Sequence, residues 1–424
     1  MTARRGPELS LDLLAAELDR MLAVADAELA SRYPGENPGR QPVQVAYIPG
    51  HRFYANSVRQ WSTEALAALA EFAPDAEGFA AAMGLEPSVG EEVRPLVLAK
   101  LATEPVEDVR VDFEDGYGVR GEETEDGHAR AAARALAEQF APAPPFCGLR
   151  CKSLEPATRR RAIRTLDAFL GALAEDGRPL PGFVITLPKV TSPDQVRAMA
   201  FLCSRLEAAH GLGAGTLRFE IQVETPQLVL GGDGAATVAR CVGASVGRLA
   251  GLHYGTYDYS ASLGIAARYQ SPEHPAADHA KSVMQVAAAG TGVPVSDGSV
   301  NVLPVGSPDE VLAAWRLHAR LVRRSLERGF YQGWDLHPRQ LASRYAATFG
   351  FFRDGLASAC DRLADYARRA SSGQEEPATA KALASYICRG LDCCATTEGE
   401  VNRLSGLTRH ELATIRRTGR MTNP

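Results

Sequence analysis

The chain has 424 residues, of which 45% are hydrophobic and 23% charged, and its formal net charge is -5 at pH 7. This composition is typical of a globular protein and excludes extensive disorder. The sequence also lacks the clustered basic residues that nucleic-acid binding requires and any apolar run of about 18 residues, so no nucleic-acid or membrane partner is expected. No signal peptide is expected, because no apolar run follows the two N-terminal arginines, and the spacing of the eight cysteines does not indicate a secreted disulfide framework. We therefore expect a cytoplasmic protein with free thiols.

The first predicted element is an amphipathic helix over residues 9–32, which ends at a Pro/Gly stretch. From there, short apolar runs alternate with helical segments. The eight predicted strands are Val43–Ile48, Val109–Phe113, Phe146–Lys152, Phe183–Leu187, Leu217–Val223, Arg248–Tyr254, Val293–Ser296 and Gly333–Leu336. The helices predicted between them cover residues 121–140, 156–175, 192–210, 234–243, 276–289 and 307–328. This alternation indicates a parallel sheet, and eight units favour a (β/α)8 TIM barrel over an open sheet.

Three regions lie outside the βα repeat of the predicted catalytic barrel, residues 43–345. Residues 1–42 form a predicted N-terminal helical extension. Residues 55–104 form a helical insertion after strand 1, which we expect to lie over one end of the barrel. Residues 346–424 form a C-terminal helical region, interrupted by a loop near Ser371–Pro377. This last region is expected to be a cap or a subunit contact.

Charged residues alternate with apolar residues along the second predicted strand. Arg110, Asp112 and Glu114 share one face of it. The apolar face should meet the helices, so the charged face points into the barrel, where charges are costly unless they are paired or functional. The pattern is compatible with a structural salt-bridge network and with a functional site.

Acidic residues also follow the fifth and sixth predicted strands. Glu220 and Gln222 face inward on the fifth strand, Glu224 ends it, and Asp258 follows the sixth. In this fold the active site lies at the C-terminal ends of the strands. Two carboxylates on neighbouring strand ends suit Mg²⁺ or Mn²⁺ completed by water. The alternative is a pair of solvated loop carboxylates.

Three basic residues end other strands. Arg150 ends the third strand, where its planar fork could bind a substrate carboxylate. Lys189 ends the fourth strand and is either a Schiff-base lysine or an ion-pair partner of the acidic residues, which we prefer. His337 follows the eighth strand and is either a substrate-binding residue or a structural hydrogen-bond donor.

These motifs, in this order, resemble the HpcH/HpaI aldolase and citrate lyase beta-subunit superfamily over roughly residues 43–345. The matching segments are Tyr47–Gly50, Asp112–Asp115, Leu149–Arg150, Leu187–Lys189, Val223–Thr225, Tyr257–Asp258 with Leu263–Gly264, Ser296–Gly298 and Gly333–Gln340. The chain departs from the family pattern in its longer ends, in the insertion and in a longer interval between the two metal-ligand motifs.

The resemblance implies a Mg²⁺-dependent carbon–carbon lyase or aldolase that acts on a small hydroxy (di)carboxylic acid, or on its CoA thioester, through an enolate. It implies Mg²⁺ (or Mn²⁺) bound by Glu224 and Asp258, a substrate carboxylate bound by Arg150, and a homo-oligomer.

The remaining catalytic roles belong to acidic residues. Asp297 is the candidate general base, supplied within one chain or across a subunit contact as in the malyl-CoA lyase branch of the family. Asp112 and Glu114 are expected to orient metal-bound water.

Two other functions remain open. The same barrel could carry out phosphoenolpyruvate-type chemistry or thioester hydrolysis. A phosphate would need basic groups near the seventh and eighth strand ends, where Arg339 is the candidate. The chain could also be a non-catalytic metabolite-binding homologue.

Overall fold

A computed structural model describes residues 10–139, 145–175, 182–369 and 377–421 of the chain. The loop expected at Ser371–Pro377 lies outside the described residues except for Pro377, which begins a helix. The outermost residues of both predicted extensions, 1–9 and 422–424, also lie outside them.

Eight parallel strands close into a barrel in sequence order, and the last strand pairs with the first. The strands are β1 (Gln44–Pro49), β2 (Asp108–Asp112), β3 (Phe146–Arg150), β4 (Phe183–Leu187), β5 (Arg218–Val223), β6 (Leu249–Tyr254), β7 (Val295–Ser299) and β8 (Gln332–Asp335). The predicted (β/α)8 TIM barrel is therefore confirmed. Strand β7 starts two residues later than predicted, after Pro294, which has no N–H to donate to a strand ladder.

Helices surround the barrel and extend it. In chain order they are α1 (Leu11–Arg32), α2 (Ser57–Phe72), α3 (Ala76–Met83), α4 (Pro87–Thr103), α5 (Glu122–Gln139), α6 (Arg159–Glu175), α7 (Pro193–Ala209), α8 (Pro226–Val229), α9 (Thr237–Ala244), α10 (Thr256–Ser262), α11 (Pro275–Ala288), α12 (Pro308–Glu327), α13 (Gln340–Arg369), α14 (Pro377–Asp392), α15 (Glu398–Ser405) and α16 (Arg409–Thr418). Local sequence sets several of the boundaries. At α12, for example, Ser307 and Glu310 form a reciprocal capping box ahead of a proline in the first turn.

The main core lies between the strands and the surrounding helices. Val109, Val111, Ile185 and Ile221 point outward from their strands and are fully buried there. Each such side chain stabilises the fold by about 1.5–3 kcal/mol through burial. Because side chains alternate along a strand, the neighbouring polar residues point into the barrel, as the alternation in the sequence predicts.

The insertion after β1 forms helices α2, α3 and α4. Helix α4 packs alongside α13, and α3 packs against α12. Val97 and Leu101 of α4 are fully buried in the main core. The apolar faces of α3 and α4 are therefore covered by the outer helices α12 and α13. The expected position of the insertion over one end of the barrel stays a prediction.

The C-terminal region is continuous with the barrel. Helix α13 follows β8 and crosses the boundary that we set at residue 345. Helices α14 and α16 pack together, and α14 and α15 pack on α13. A second apolar core forms there, in which Leu363, Ile387, Leu412 and Ile415 are fully buried. The extension is therefore a helical unit built on the last helix of the barrel.

The N-terminal helix contrasts with the rest of the fold, because no residue of α1 is buried. After it the chain returns to the N-terminal end of the barrel, where the Gly35 N–H donates to the Gly290 carbonyl at 2.8 Å. Within the described ranges, no helix has both the length and the hydropathy to cross a membrane. All eight cysteines are free, as predicted.

Candidate functional site

Paired charges fill the barrel interior toward the N-terminal ends of the strands. Arg110 of β2 donates to both carboxylate oxygens of Glu220 of β5, at 3.1 and 2.9 Å. Asp108 pairs with the same guanidinium, and His253 Nε2 lies 3.1 Å from Glu220 Oε2. Gly148 allows this crossing, because a Cβ there would lie 1.9 Å from the Val184 carbonyl oxygen and 3.0 Å from Arg110 Cδ. This layer matches the salt-bridge interpretation of the alternating charges.

The two carboxylates of this layer differ in their affinity for a proton. Burial would raise the pKa of Glu220, but the charges of Arg110 and His253 hold it well below its usual range. Burial raises the pKa of Asp108 to about 6, against the opposing charge of Arg110. The Arg110 guanidinium thus contacts two buried carboxylates, and the surroundings favour the ionised form of Glu220 more than that of Asp108.

Nearer the C-terminal ends of the strands, the guanidinium of Arg150 is enclosed by Asp112, Tyr47 and Trp334, and we call these four residues the arginine box. Arg150 Nε and Nη2 donate to the two carboxylate oxygens of Asp112 at 2.6 and 2.8 Å. The guanidinium carbon lies 5.0 Å from the ring centroid of Tyr47 and 5.2 Å from that of Trp334. Its Nη1 makes a longer contact, 3.4 Å from Gln222 Oε1. The Nη1 edge is therefore the part of the fork that is least engaged.

Four carboxylates and one lysine form the next layer, at the C-terminal ends of β2, β4, β5 and β6. We call Glu114, Asp115, Glu224 and Asp258 the acidic rim. Lys189 Nζ lies 3.1 Å from Asp258, 3.2 Å from Glu114 and 3.4 Å from Asp115. The Lys189 backbone N–H donates to Glu224 Oε1 at 2.7 Å. Four of the predicted site residues, and Asp115 in addition, are thus brought together.

Lys189 is an ion-pair partner in this arrangement. Burial would lower the pKa of its ammonium, but the charges of Glu224 and Glu114 hold it above its usual range. A protonated amine is not a Schiff-base nucleophile, so the geometry agrees with the ion-pair alternative. Its backbone has φ +52°, in the left-handed region that non-glycine residues seldom adopt. Such strain costs about 1–3 kcal/mol and is concentrated at functional sites.

Glu224 is the most enclosed member of the acidic rim, with 2% of its surface exposed. Burial raises the pKa of its carboxyl group to about 7, with Lys189 opposing this effect and Asp258 adding to it. Its position requires glycine at 255, since a Cβ there would lie 2.6 Å from Glu224 Oε2. A nearby cation would favour the ionised form of this buried carboxylate.

Glu114 joins the rim to the arginine box. Its Oε2 lies 3.4 Å from Arg150 Nη1, and its Oε1 lies 3.2 Å from Lys189 Nζ. Burial raises the pKa of Glu114 to about 8, with Arg150 opposing this effect and Asp115 adding to it. A raised pKa favours the protonated form of this carboxyl group, which is the form that a proton donor needs.

The acidic rim fits a hard divalent cation by the chemistry of its donors. Mg²⁺ is commonly bound through one or two carboxylates, with water and substrate oxygens in the remaining positions. Glu224 and Asp258 both contact Lys189, Glu224 through the backbone N–H and Asp258 through the ammonium. No three His, Cys, Asp or Glu side chains converge as a complete ligand set in the described part of the chain. A cation here would therefore rely on two carboxylates and water.

Two predicted site residues lie apart from the rim. Asp297 Oδ2 lies 3.0 Å from Lys281 Nζ on α11, so its side chain faces the helix layer. The cause is an irregularity in β7 between Ser296 and Ser299, which breaks the alternation of faces. His337 faces α2, with its Nε2 3.7 Å from Glu64. The structure does not bring either residue to Lys189.

The sequence analysis missed a histidine at the mouth of the barrel. His51 follows β1 in a short 3-10 turn, and its Nδ1 is buried without a hydrogen-bond partner. Its ring centroid lies 5.5 Å from that of Tyr117, whose hydroxyl is 2.9 Å from His128 Nδ1. Burial, followed by the charge of Arg120, lowers the pKa of His51, so its imidazole is neutral at pH 7. The signal that could have identified it is its position directly after the first strand.

Fold and site together define a TIM-barrel protein with an acidic rim and a buried arginine at the C-terminal ends of its strands. The family model described as a domain of unknown function (DUF6986) matches residues 22–420, so the chain belongs to that family. No curated protein matches the sequence.

Several solved structures are similar to this chain. A citrate lyase from Burkholderia xenovorans LB400 is 18% identical, with a TM-score of 0.58 over 87% of this chain and 98% of that one. A Haloferax volcanii malate synthase, in complex with magnesium and glyoxylate, is 17% identical, with a TM-score of 0.49 over 72% of this chain and 75% of that one. A citrate lyase beta subunit from Mycobacterium tuberculosis, complexed with oxaloacetate and magnesium, is 18% identical, with a TM-score of 0.42 over 73% of this chain and 98% of that one. At such identities the first similarity supports the fold, and the activity has to be argued from the site.

Proposed function

We propose that the chain is a Mg²⁺-dependent carbon–carbon lyase that acts, through an enolate, on a small hydroxy (di)carboxylic acid or its CoA thioester. The observation that carries this proposal is the contact of Glu114 with both Arg150 and Lys189. It brings a carboxylate-binding arginine and a cation-binding rim to the same end of the barrel. The sequence resemblance to the citrate lyase beta-subunit superfamily points to the same chemistry.

In this proposal Glu224 and Asp258 bind Mg²⁺ or Mn²⁺. A divalent ion held there would supply positive charge that stabilises the developing enolate. Lys189 keeps the rim carboxylates in place, since its ammonium contacts Glu114 and Asp258. Without that positive charge the buried carboxylates would repel one another.

Arg150 binds the substrate carboxylate through its Nη1 edge. Asp112, Tyr47 and Trp334 hold the guanidinium plane in one orientation, which aligns the breaking bond with the carbonyl. Asp112 was predicted to orient metal-bound water. Its bidentate pairing with Arg150 uses both of its oxygens, so we now assign it the positioning of Arg150.

Proton transfer is proposed for Glu114 and His51. The raised pKa of Glu114 favours its protonated form, in which it can act as the acid. His51 is neutral and has a free buried Nδ1, so it can accept the hydroxyl proton of the substrate. Asp297 remains a prediction as a base supplied to another subunit, although its pairing with Lys281 would have to break first.

A phosphorylated substrate is less compatible with this site. Arg339, the basic candidate near the seventh and eighth strand ends, lies 3.3 Å from Glu64 and stacks on Phe72. No observation favours thioester hydrolysis or a purely binding role over the lyase proposal.

Enolate formation can be tested before the substrate is known. We expect the purified chain with Mg²⁺ to exchange the methyl protons of pyruvate for deuterium in D₂O, followed by NMR. Arg150→Met and Glu224→Gln should each slow the exchange at least about tenfold, since each removes a charged contact to the enolising group. An exchange rate that is independent of Mg²⁺, or equal in these variants and the wild type, would exclude the proposed chemistry.

A further inference from the structure

A second cavity lies at the opposite end of the barrel from the acidic rim. Its volume is about 740 Å³. Its walls are the N-terminal ends of the strands, the segment from Glu36 to Val43, and helices α14 and α16 of the C-terminal region. The helical extension thus encloses one side of the cavity, at the N-terminal end of the barrel. The resemblance to known enzymes stops at residue 345 and does not account for it.

Two arginines of the extension line this cavity and are only partly satisfied there. Arg416 Nη2 donates to the Asn37 carbonyl at 3.2 Å, and the Arg389 guanidinium carbon lies 4.2 Å from the ring centroid of Tyr331. Arg389 comes from α14 and Arg416 from α16. The Nε atoms of both are buried and make no hydrogen bond within the described structure. The side chain of Arg416 is only 10% exposed. Deeper in the cavity, Nδ1 of the buried His253 also has no hydrogen-bond partner.

The carboxylates that line the cavity do not neutralise these arginines. Glu36 is the nearest, 3.8 Å from Arg389 and 3.7 Å from Arg416, and its side chain is 61% exposed. Asp392 pairs instead with Arg409, at 2.5 Å. Asp108 and Glu220, the other two acidic residues of the lining, both pair with Arg110.

Two neighbouring guanidinium groups therefore share one distant carboxylate in a partly dehydrated space. Burial lowers the pKa of Arg389, and the nearby charge of Arg416 lowers it further. Water molecules can accept hydrogen bonds from the free N–H groups, but they cannot balance the positive charge of the two guanidinium groups. Arginine pairs of this kind suit oxyanions, whose oxygens accept two parallel hydrogen bonds from a guanidinium.

We propose that this cavity binds a small oxyanion, a phosphate or a polycarboxylate, between Arg389 and Arg416. The site is independent of the proposed lyase chemistry, because it shares no residue with the acidic rim or the arginine box. A ligand there contacts both the barrel strands and the C-terminal helices, so its binding stabilises their packing.

The test is calorimetric titration of the full chain with sodium phosphate and, separately, with sodium citrate, each compared with sodium chloride at equal ionic strength. Thermal melts in the same solutions report the stabilisation. We expect saturable binding of at least one of the two anions. The Kd should rise at least about tenfold in Arg389→Gln and in Arg416→Gln. Arg417→Gln, an exposed neighbour on α16, is the matched control and should bind like the wild type.

Comparison of the two anions distinguishes a phosphate site from a polycarboxylate site. Binding is assigned to the cavity only if both variants lose it. Citrate bound at the acidic rim would persist in them. If a variant does not fold, wild-type crystals soaked in tungstate decide the question, with density expected between Arg389 and Arg416. No saturable binding in the wild type, equal binding in the variants, or a cavity without tungstate would overturn the proposal.

Discussion

Carboxyl groups of the same chemical type behave differently at different depths of this barrel. Burial raises the pKa of Glu224 to about 7 and that of Glu114 to about 8. Glu220 is equally buried but has a low pKa, because Arg110 and His253 contact it. The contrast separates carboxylates that stabilise the barrel from carboxylates that are poised to exchange a proton or accept a cation.

Asp108 should make the free energy of unfolding depend on pH. Its folded-state pKa of about 6 lies above the ordinary value of 3.8, so the folded chain holds the extra proton more tightly than the unfolded chain. The contribution of Asp108 to stability is therefore present at low pH and is lost as the pH rises from about 4 to about 6. Asp108→Asn has no such proton to lose.

We expect Asp108→Asn to gain stability relative to the wild type across that window, by up to about 3 kcal/mol. Loss of the Arg110 contact lowers the stability of the variant at every pH, so the slope of the difference is the readout. Urea unfolding at several pH values measures it. A difference that does not change with pH would show that Asp108 is ionised throughout.

Among the elements, α13 determines how the chain is organised. Its first part packs in the main core, and its second part carries the core shared with α14 and α16. The two cores are joined by one continuous helix, so they should unfold together. Leu412 of α16 is fully buried in the second core, and Leu404 of α15 is 45% exposed.

Leu412→Ala should lower the free energy of unfolding by about 2–5 kcal/mol, because it leaves a cavity in the second core. Leu404→Ala is the matched control and should change it by less than about 1 kcal/mol. Chemical denaturation followed by circular dichroism compares the two. Equal effects of the two substitutions would contradict the packing of α16 described above.

In the whole molecule, the proposed lyase site lies at the C-terminal end of the barrel and the proposed anion site at the N-terminal end. Helix α1 contributes to neither site. No residue of α1 is buried, although it carries several exposed leucines. A chain that begins at residue 33 should therefore melt at the same temperature as the full chain. A clear drop would mean that α1 packs on another surface in solution. Light scattering on both chains would also test the predicted homo-oligomer.

The sequence was most informative where local patterns decide the structure. The eight strands follow from short apolar runs between helical segments, and the inward position of Arg110 and Glu220 follows from alternation. The pairing of Arg150 with Asp112 could not be predicted, because it depends on side-chain directions across two strands. Asp297 was expected near the site, but the irregularity in β7 turns it toward α11.

Binding of Mg²⁺ to the acidic rim is the most direct test of the account. Calorimetric titration of the metal-free chain should show one Mg²⁺ bound per chain. Its affinity should fall at least about tenfold in Glu224→Gln and in Asp258→Asn, since each removes a charged ligand. Glu71→Gln, on the exposed side of α2, should bind Mg²⁺ like the wild type. A wild type that binds no Mg²⁺, or a Glu224→Gln variant that binds it equally well, would contradict the central claim.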